Sequence, residues 1–274
     1  MPVLDIGAAP DAATRNGLAV RDVAESLPLW RLCWTLSWLD IKLRYRGSVL
    51  GPLWLTLSTA IMIGSMGFLY AALFHMDLHE YLPFLALSIV LWNFVSALVG
   101  DACVTFTGAE GMIRSVRMPF MLYAARVVVR NILVLGHNIV VIVMVDVLLK
   151  TAPGALALLA IPAFVLWLVV ALALSLLLGA LCARFRDIPP IIASVMQMAF
   201  FVSAVIWRPE QLGEQQWLLN FNPFFTMFEI VRGPLLGTVP SQAVYVSALM
   251  SSAAICVAAW LLFARTRGRI AFWI

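Results

Sequence analysis

Three groups of residues in this chain have types and spacing suited to chemistry. Glu229 and Arg232 stand three apart, so on a helix they share a face, and as a pair each makes the other tolerable away from water. That spacing serves a structural ion pair or a pair that touches a substrate. Arg31, Thr35, Lys42 and Arg46 form one strip when residues 30–46 are drawn as a helix, and Arg and Lys are the side chains that phosphate favours. His75 and His79, with Asp77 and Glu80, have the i, i+4 spacing of a shared metal ion. They fall in a short turn between two apolar runs, where solvated polar residues are the ordinary occupants, so no metal site is assigned. The acidic residues are otherwise scattered, with no paired carboxylate motif such as DxD, and no GxxxxGK[ST] phosphate loop occurs. Cys33, Cys103, Cys182 and Cys256 are widely separated and read as small core residues, without a disulfide framework.

The elements that position these residues are set by lipid. Residues 51–74 contain no charge, and an α-helix needs about 20 apolar residues to cross a bilayer core. The chain of 274 residues is 63% hydrophobic and 12% charged, where a soluble domain carries about 25% charged residues. Mean hydropathy is +0.99. Six spans are predicted, at 52–74, 82–100, 127–149, 155–181, 188–207 and 243–264. Residues 1–26 are polar, lack the apolar core of a signal peptide, and are expected to form a mobile cytosolic tail. With an even span count, the inner segments hold nearly all the Arg and Lys. The outer ones keep only Lys150, Arg208 and Arg232. The positive-inside rule then places both termini in the cytoplasm, and it accounts for a pI near 9.1 without a nucleic-acid partner.

Residues 27–47 carry a leucine stripe (Leu32, Leu36, Leu39, Leu43) and an aromatic stripe (Trp30, Trp34, Trp38, Tyr45), with the basic strip between them. Such a helix neither dissolves nor spans, and it belongs in the membrane interface, as an anchor or as a device for gating or substrate entry. Within residues 208–240 the runs Trp217–Phe225 and Met227–Leu236 are too apolar for an exposed loop and too short to span. A helical hairpin that dips in from the outer face and breaks at Asn222-Pro223 fits them, as does a folded external cap. His137 and Asn138 interrupt the third span, where an interhelical hydrogen bond or a substrate role would account for them. Asp146 and Lys150 read as a snorkelling ion pair.

The run Lys42-Leu-Arg44-Tyr-Arg46-Gly-Ser-Val-Leu-Gly-Pro-Leu-Trp54 resembles the turn by which permeases of glycan-exporting ABC transporters pass from an interfacial helix into the first span. Asn222-Pro223 through Glu229 and Arg232 to Gly237 resembles the segment between their last two spans. Gly111 to Pro119, with Arg114 and Arg117, is similar to their coupling loop. The resemblance implies an all-α membrane protein: an N-terminal amphipathic interfacial helix, six transmembrane helices over 48–274, and a re-entrant hairpin between the fifth and sixth. It implies a homodimer with two ATP-binding cassette subunits, which bind ATP and Mg, and no cofactor in this chain. The cargo would be an undecaprenyl-linked polysaccharide of the O-antigen, capsule or teichoic-acid kind, crossing the bacterial inner membrane. In that scheme Arg31, Lys42, Arg44 and Arg46 meet the lipid pyrophosphate, and Glu110, Arg114 and Arg117 couple to the ATPase. Phe68, Tyr70, Phe74, Trp92, Phe200 and Phe201 are candidates for a channel lined with aromatic rings, on which sugar CH faces stack. A drug or lipid exporter of the same class, and a membrane-embedded glycosyltransferase or lipid phosphatase, are the alternatives.

Overall fold

The computed structural model describes residues 11–44, 46, 53–73, 75–151 and 153–274. Every regular element among them is helical: α1 (Ala12–Ser26), α2 (Trp30–Arg44), α3 (Leu53–Leu73), α4 (Leu78–Cys103), α5 (Glu110–Ser115), α6 (Phe120–Leu149), α7 (Ala160–Arg184), α8 (Ile188–Val202), α9 (Pro223–Leu235), α10 (Gln242–Thr266) and α11 (Ile270–Trp273). Hydrocarbon offers the backbone no partner, so each peptide group must bond within its own segment, and a helix does this. Five of these helices, with their helical extensions, are long and apolar enough to cross a membrane. Gly47 to Pro52, Phe74 and Tyr45, which entered the motif, channel and aromatic-stripe readings, lie outside the described residues.

α4 is the central post. Two thirds of its apolar window (67%) is buried, against 22–28% for the other four spans, whose outer faces are left for lipid or another chain. α8 lies antiparallel to α4: Pro189 shares a cavity with Cys103, Trp92 meets Phe200 at 5.7 Å, and the Tyr81 hydroxyl donates to the Ile206 carbonyl. The predicted fifth span ends early. α8 stops at Val202, and its 15 residues rise only about 22 Å against a core of about 30 Å. Ala204 takes a left-handed backbone, φ 51°, which ends the helix.

The N-terminal segment expected to be a mobile tail is instead helical from Ala12, with Asp11 accepting from the Ala12 N–H as its cap. The cause is Asp22, which is fully buried. Its carboxylate accepts from the Phe120 and Met121 N–H groups (3.2 and 2.9 Å) and from Arg267 Nε at 2.7 Å. α6 starts after Pro119, so its first N–H groups have no partner in their own helix, and Asp22 supplies one.

α2 packs on α6 through a face that hydropathy does not mark, Cys33, Ser37 and Ile41. Ser37 donates to the Arg126 carbonyl. Beside it Asp40 accepts two bonds from Arg126, one of them 2.8 Å, and one from Arg130 at 3.3 Å. Arg130 also reaches Asp101 of α4 at 2.9 Å, and Asp101 takes Asn131 Nδ2 at 2.9 Å. Arg44 lies 3.8 Å from Asp101. The expected Asp146–Lys150 pair is not made. Lys150 is the left-handed cap of α6, φ 58°, while Asp146 accepts from Thr151.

The side chains of Asp40, Arg126 and Arg130 are only 15–18% exposed. Removing Asp40 therefore strands the mostly buried guanidinium of Arg126, while Arg130 keeps Asp101. Asp40→Ala should cost about 2 kcal/mol, below the ~3–5 kcal/mol of a fully buried pair because Arg126 keeps some water. Thermal unfolding of the purified protein measures it. The double variant with Arg126→Ala should lose less than the sum of the singles, and strict additivity would reject the network.

Candidate functional site

The Asn-Pro step at 222–223 starts α9 by two ordinary devices. Pro223 fills the first helical position, where no N–H is needed, and Asn222 Oδ1 accepts from the Phe224 and Phe225 N–H groups at 3.0 and 3.2 Å. The same side chain turns its amide outward, donating to the Val202 carbonyl and the Ser203 hydroxyl. One residue thus caps the start of α9 and the end of α8. Trp92 of α4 is 6.5 Å from Phe224 and 6.4 Å from Phe228. Trp92 is 14 residues into α4, so the start of α9 sits beside a point about 21 Å along that helix from its start. The 3-10 segment Pro209–Phe221 leads back from the Arg208–Glu80 contact at the top of α4, turning at Gly213, φ 55°.

Glu229 and Arg232 do pair, as their spacing predicts. Arg232 Nε donates to Glu229 Oε2 at 2.9 Å, and a second bond joins the same carboxylate. Arg232 is completely buried, Glu229 is not (17% of its side chain exposed). The remaining guanidinium edge donates to Ser88 Oγ at 3.1 Å and to the Ala204 carbonyl at 2.6 Å. Its faces are covered by Phe84 and Phe228, with centroids 4.7 and 4.8 Å away. Arg232 therefore joins α9, α4 and the strained turn after α8 in one contact set.

Of the six aromatic candidates, the structure brings three together. Phe200 meets Trp92 and, edge-on at 5.2 Å, Phe201. With Ser96 and Gln197 they line a cavity of about 570 Å³ between α4 and α8. Phe68 is exposed on α3, and Tyr70 is half-buried there. Trp167, Phe164 and Phe94 extend the cluster on the other side of α4, with Trp167 stacked on Phe94 and donating its indole N–H to the Met227 carbonyl.

At the opposite end of α4, α5 is a short exposed helix between α4 and α6. Glu110 and Arg114 pair along it at 2.9 Å, and Arg114 also donates to the Ile274 carbonyl at the chain's C-terminus. Arg117 is exposed one step beyond. Arg31, Lys42 and Arg46 are all exposed, Arg31 lying over the Trp30 ring, whereas Arg44 turns to Asp101. The basic strip and the coupling residues do not meet one another in this chain. The residues that sequence reading missed are Asp22, Asp40, Asp101, Arg126 and Arg130. Their one signal was charge inside otherwise apolar helix faces, at the same end of the bundle.

A single ammonium cannot bridge Glu229, Ser88 and Ala204 together, so Arg232→Lys should behave like a deletion. We expect a loss of about 3 kcal/mol or more, and rapid proteolysis within 209–221 under native conditions. Glu229→Gln, which keeps a hydrogen-bond acceptor, should cost less. Wild-type protease resistance in Arg232→Lys would remove the clamp from the account.

The sequence pattern of the family described as ABC-2 type transporter matches residues 31–236. The O-antigen export system permease protein RfbA of Myxococcus xanthus is 22% identical over 191 residues, 69% of this chain and 74% of that protein. RfbA of Klebsiella pneumoniae is 21% identical over 190 residues, 69% of this chain and 73% of the relative. The matched stretch runs from α2 through four of the five long apolar helices to the end of α9, three quarters of the chain, so the chain belongs to the ABC-2 type transporter family.

Proposed function

We propose that this chain is the membrane subunit of an ATP-driven exporter of lipid-linked polysaccharide, of the O-antigen type. The observation that carries this is the similarity to O-antigen export permeases over 69% of the chain. The aromatic face of Trp92, Phe200 and Phe201, with the amide of Gln197 and the hydroxyl of Ser96, supports it, because sugars offer CH faces to rings and hydroxyls to amides. ATP and Mg act on separate cassette subunits, two of which dock beneath a dimer of this chain. The permease sits in the bacterial inner membrane with its termini inside, and the ATPase subunits bind its cytoplasmic loops. α8 and the turn after it make the sixth crossing. The segment 209–235 is a re-entrant hairpin, a reading supported by the level of Asn222 beside Trp92 and by side-chain partners for its broken backbone.

The topology has a direct check. Cysteines introduced at Asp77 or Gln215 should react with an impermeant reagent from outside, and those at Ser115 or Thr266 should not. Outside labelling of Ser115 would overturn the six-crossing reading. Coupling is tested by charge reversal. Arg114 is already committed to Glu110 and the C-terminus, so Arg117→Glu should give the cleaner loss of ATPase co-purification or of export, with insertion retained. Unchanged binding and export would put the contact elsewhere. For the basic strip, replacing Arg31, Lys42 and Arg46 together by Gln should abolish stimulation of ATPase activity by lipid-linked glycan. A neutral amide cannot replace a charge-assisted phosphate contact, whereas anchoring loses only about 1 kcal/mol per charge. Full stimulation would leave the strip as an anchor alone.

A further inference from the structure

A crevice of about 1320 Å³ lies between the ends of α4, α6, α7 and α9 remote from α5. It is larger than the ~300–1,000 Å³ of ordinary small-molecule pockets. Its depth is apolar, built from Leu87, Leu91, Leu135, Ile139 and Phe164. It opens sideways between α6 and α7, where Val143 and Ile161 are 53% and 60% exposed. In a bilayer that opening faces acyl chains. The apolar depth gives water no partners, and left empty it would forfeit the dispersion contacts of its walls. The mouth is charged, with Glu80, Asp146, Arg208, Glu210 and Lys150. Arg208 is paired with Glu80, and Asp146 accepts from Thr151. Lys150 and Glu210, of opposite sign, enter no ion pair among the described residues.

We propose that this crevice binds one phospholipid with a zwitterionic, primary-amine headgroup, phosphatidylethanolamine by class. An acyl chain fills the depth along Leu91 and Ile139. The phosphate meets Lys150, and the headgroup ammonium donates to Glu210. A glycan or other wholly polar ligand would leave the apolar depth unfilled, and a simple hydrocarbon would leave the exposed Lys150 and Glu210 at the mouth to water alone. The wall opposite α6 carries Glu229 and Arg232, so the bound lipid braces the clamped hairpin from its lipid-facing side. The choice of leaflet rests on the orientation proposed above, with this end of the bundle outward; the site itself does not.

The test uses the permease–ATPase complex in nanodiscs of phosphatidylcholine containing a small fraction of phosphatidylethanolamine with a diazirine near the end of its acyl chain. Photo-adducts should map to Leu135, Ile139 or Phe164, and native mass spectrometry should find one phosphatidylethanolamine retained per permease. Lys150→Glu should lower retention about tenfold or more, since a charged hydrogen bond is worth about 1.5–3 kcal/mol and tenfold is 1.4. Glu210→Gln should erase the preference over phosphatidylcholine, whose quaternary nitrogen donates no hydrogen bond. Ile139→Trp fills the depth and should abolish the adducts. Should that variant not fold, Lys150→Glu at the helix cap still decides the matter. Adducts spread evenly over α3 and α8, retention unchanged in Lys150→Glu, or retention of polyprenyl-linked glycan in place of phospholipid would each overturn the proposal. Nanodiscs expose both faces, so a failed orientation reading appears in the cysteine labelling and leaves these outcomes intact.

Discussion

The end of α8 is the constraint around which the other half of the molecule is arranged. A helix that stops within an apolar bundle leaves carbonyl groups with no partner, and each costs several kcal/mol where no water reaches. Here four carbonyls at the end of α8 and in the turn after it are met by side chains from different places. Trp207 donates to Phe201, Asn222 to Val202, Arg232 to Ala204 and Tyr81 to Ile206. Those four donors come from the turn itself, the hairpin tip, α9 and α4. The break therefore dictates where the hairpin must lie. It also explains how a fully buried guanidinium is tolerated, since Arg232 meets Glu229, Ser88, a backbone carbonyl and two aromatic faces.

Much of this was legible in the sequence, for identifiable reasons. Uncharged runs mark spanning helices because lipid imposes one length and one hydropathy on them. Asn222-Pro223 and the Glu229–Arg232 spacing act within a few residues of themselves, so local rules found both. The early stop of α8 was hidden because Ser203 to Trp207 remain apolar after the helix ends. Hydropathy does not register a left-handed alanine. The role of Asp22 was hidden for another reason: its partners are 98, 99 and 245 residues away. The docked face of α2 was obscured by composition. Ser37 is buried while Trp34 and Trp38 are exposed, the reverse of what burial preference expects in water.

That reversal is informative about the setting of α2. Exposed Trp30, Trp34, Trp38, Leu39 and Leu43 would be a liability in water, but they suit a helix whose outer face meets lipid and headgroups. Its inner face then needs small residues for close approach and a specific polar latch, because hydrophobic burial gives no preference between protein and lipid tails. Ser37 and Asp40 provide that latch on Arg126 and Arg130.

The same logic makes α6 the element that joins the two ends. Its first turn is capped by Asp22 from α1, which also holds Arg267 beyond α10. Its next two turns carry Arg126, Arg130 and Asn131, latched to α2 and α4. From there one unbroken helix of 30 residues, about 45 Å long, reaches Lys150 at the mouth of the crevice. α5 lies immediately before it in the chain and is joined to the C-terminus through Arg114. Between α5 and α6 the chain runs extended through Val116 and Pro119, so the two helices are separate segments joined by four non-helical residues. The polar contacts at the α5 end of the bundle fix α6 to α1, α2 and α4, so displacement there must move the four helices together or break one of these contacts. Cost is lowest for motion that keeps Asp40, Asp101, Arg126 and Arg130 in register, so this end of the bundle is held as one unit.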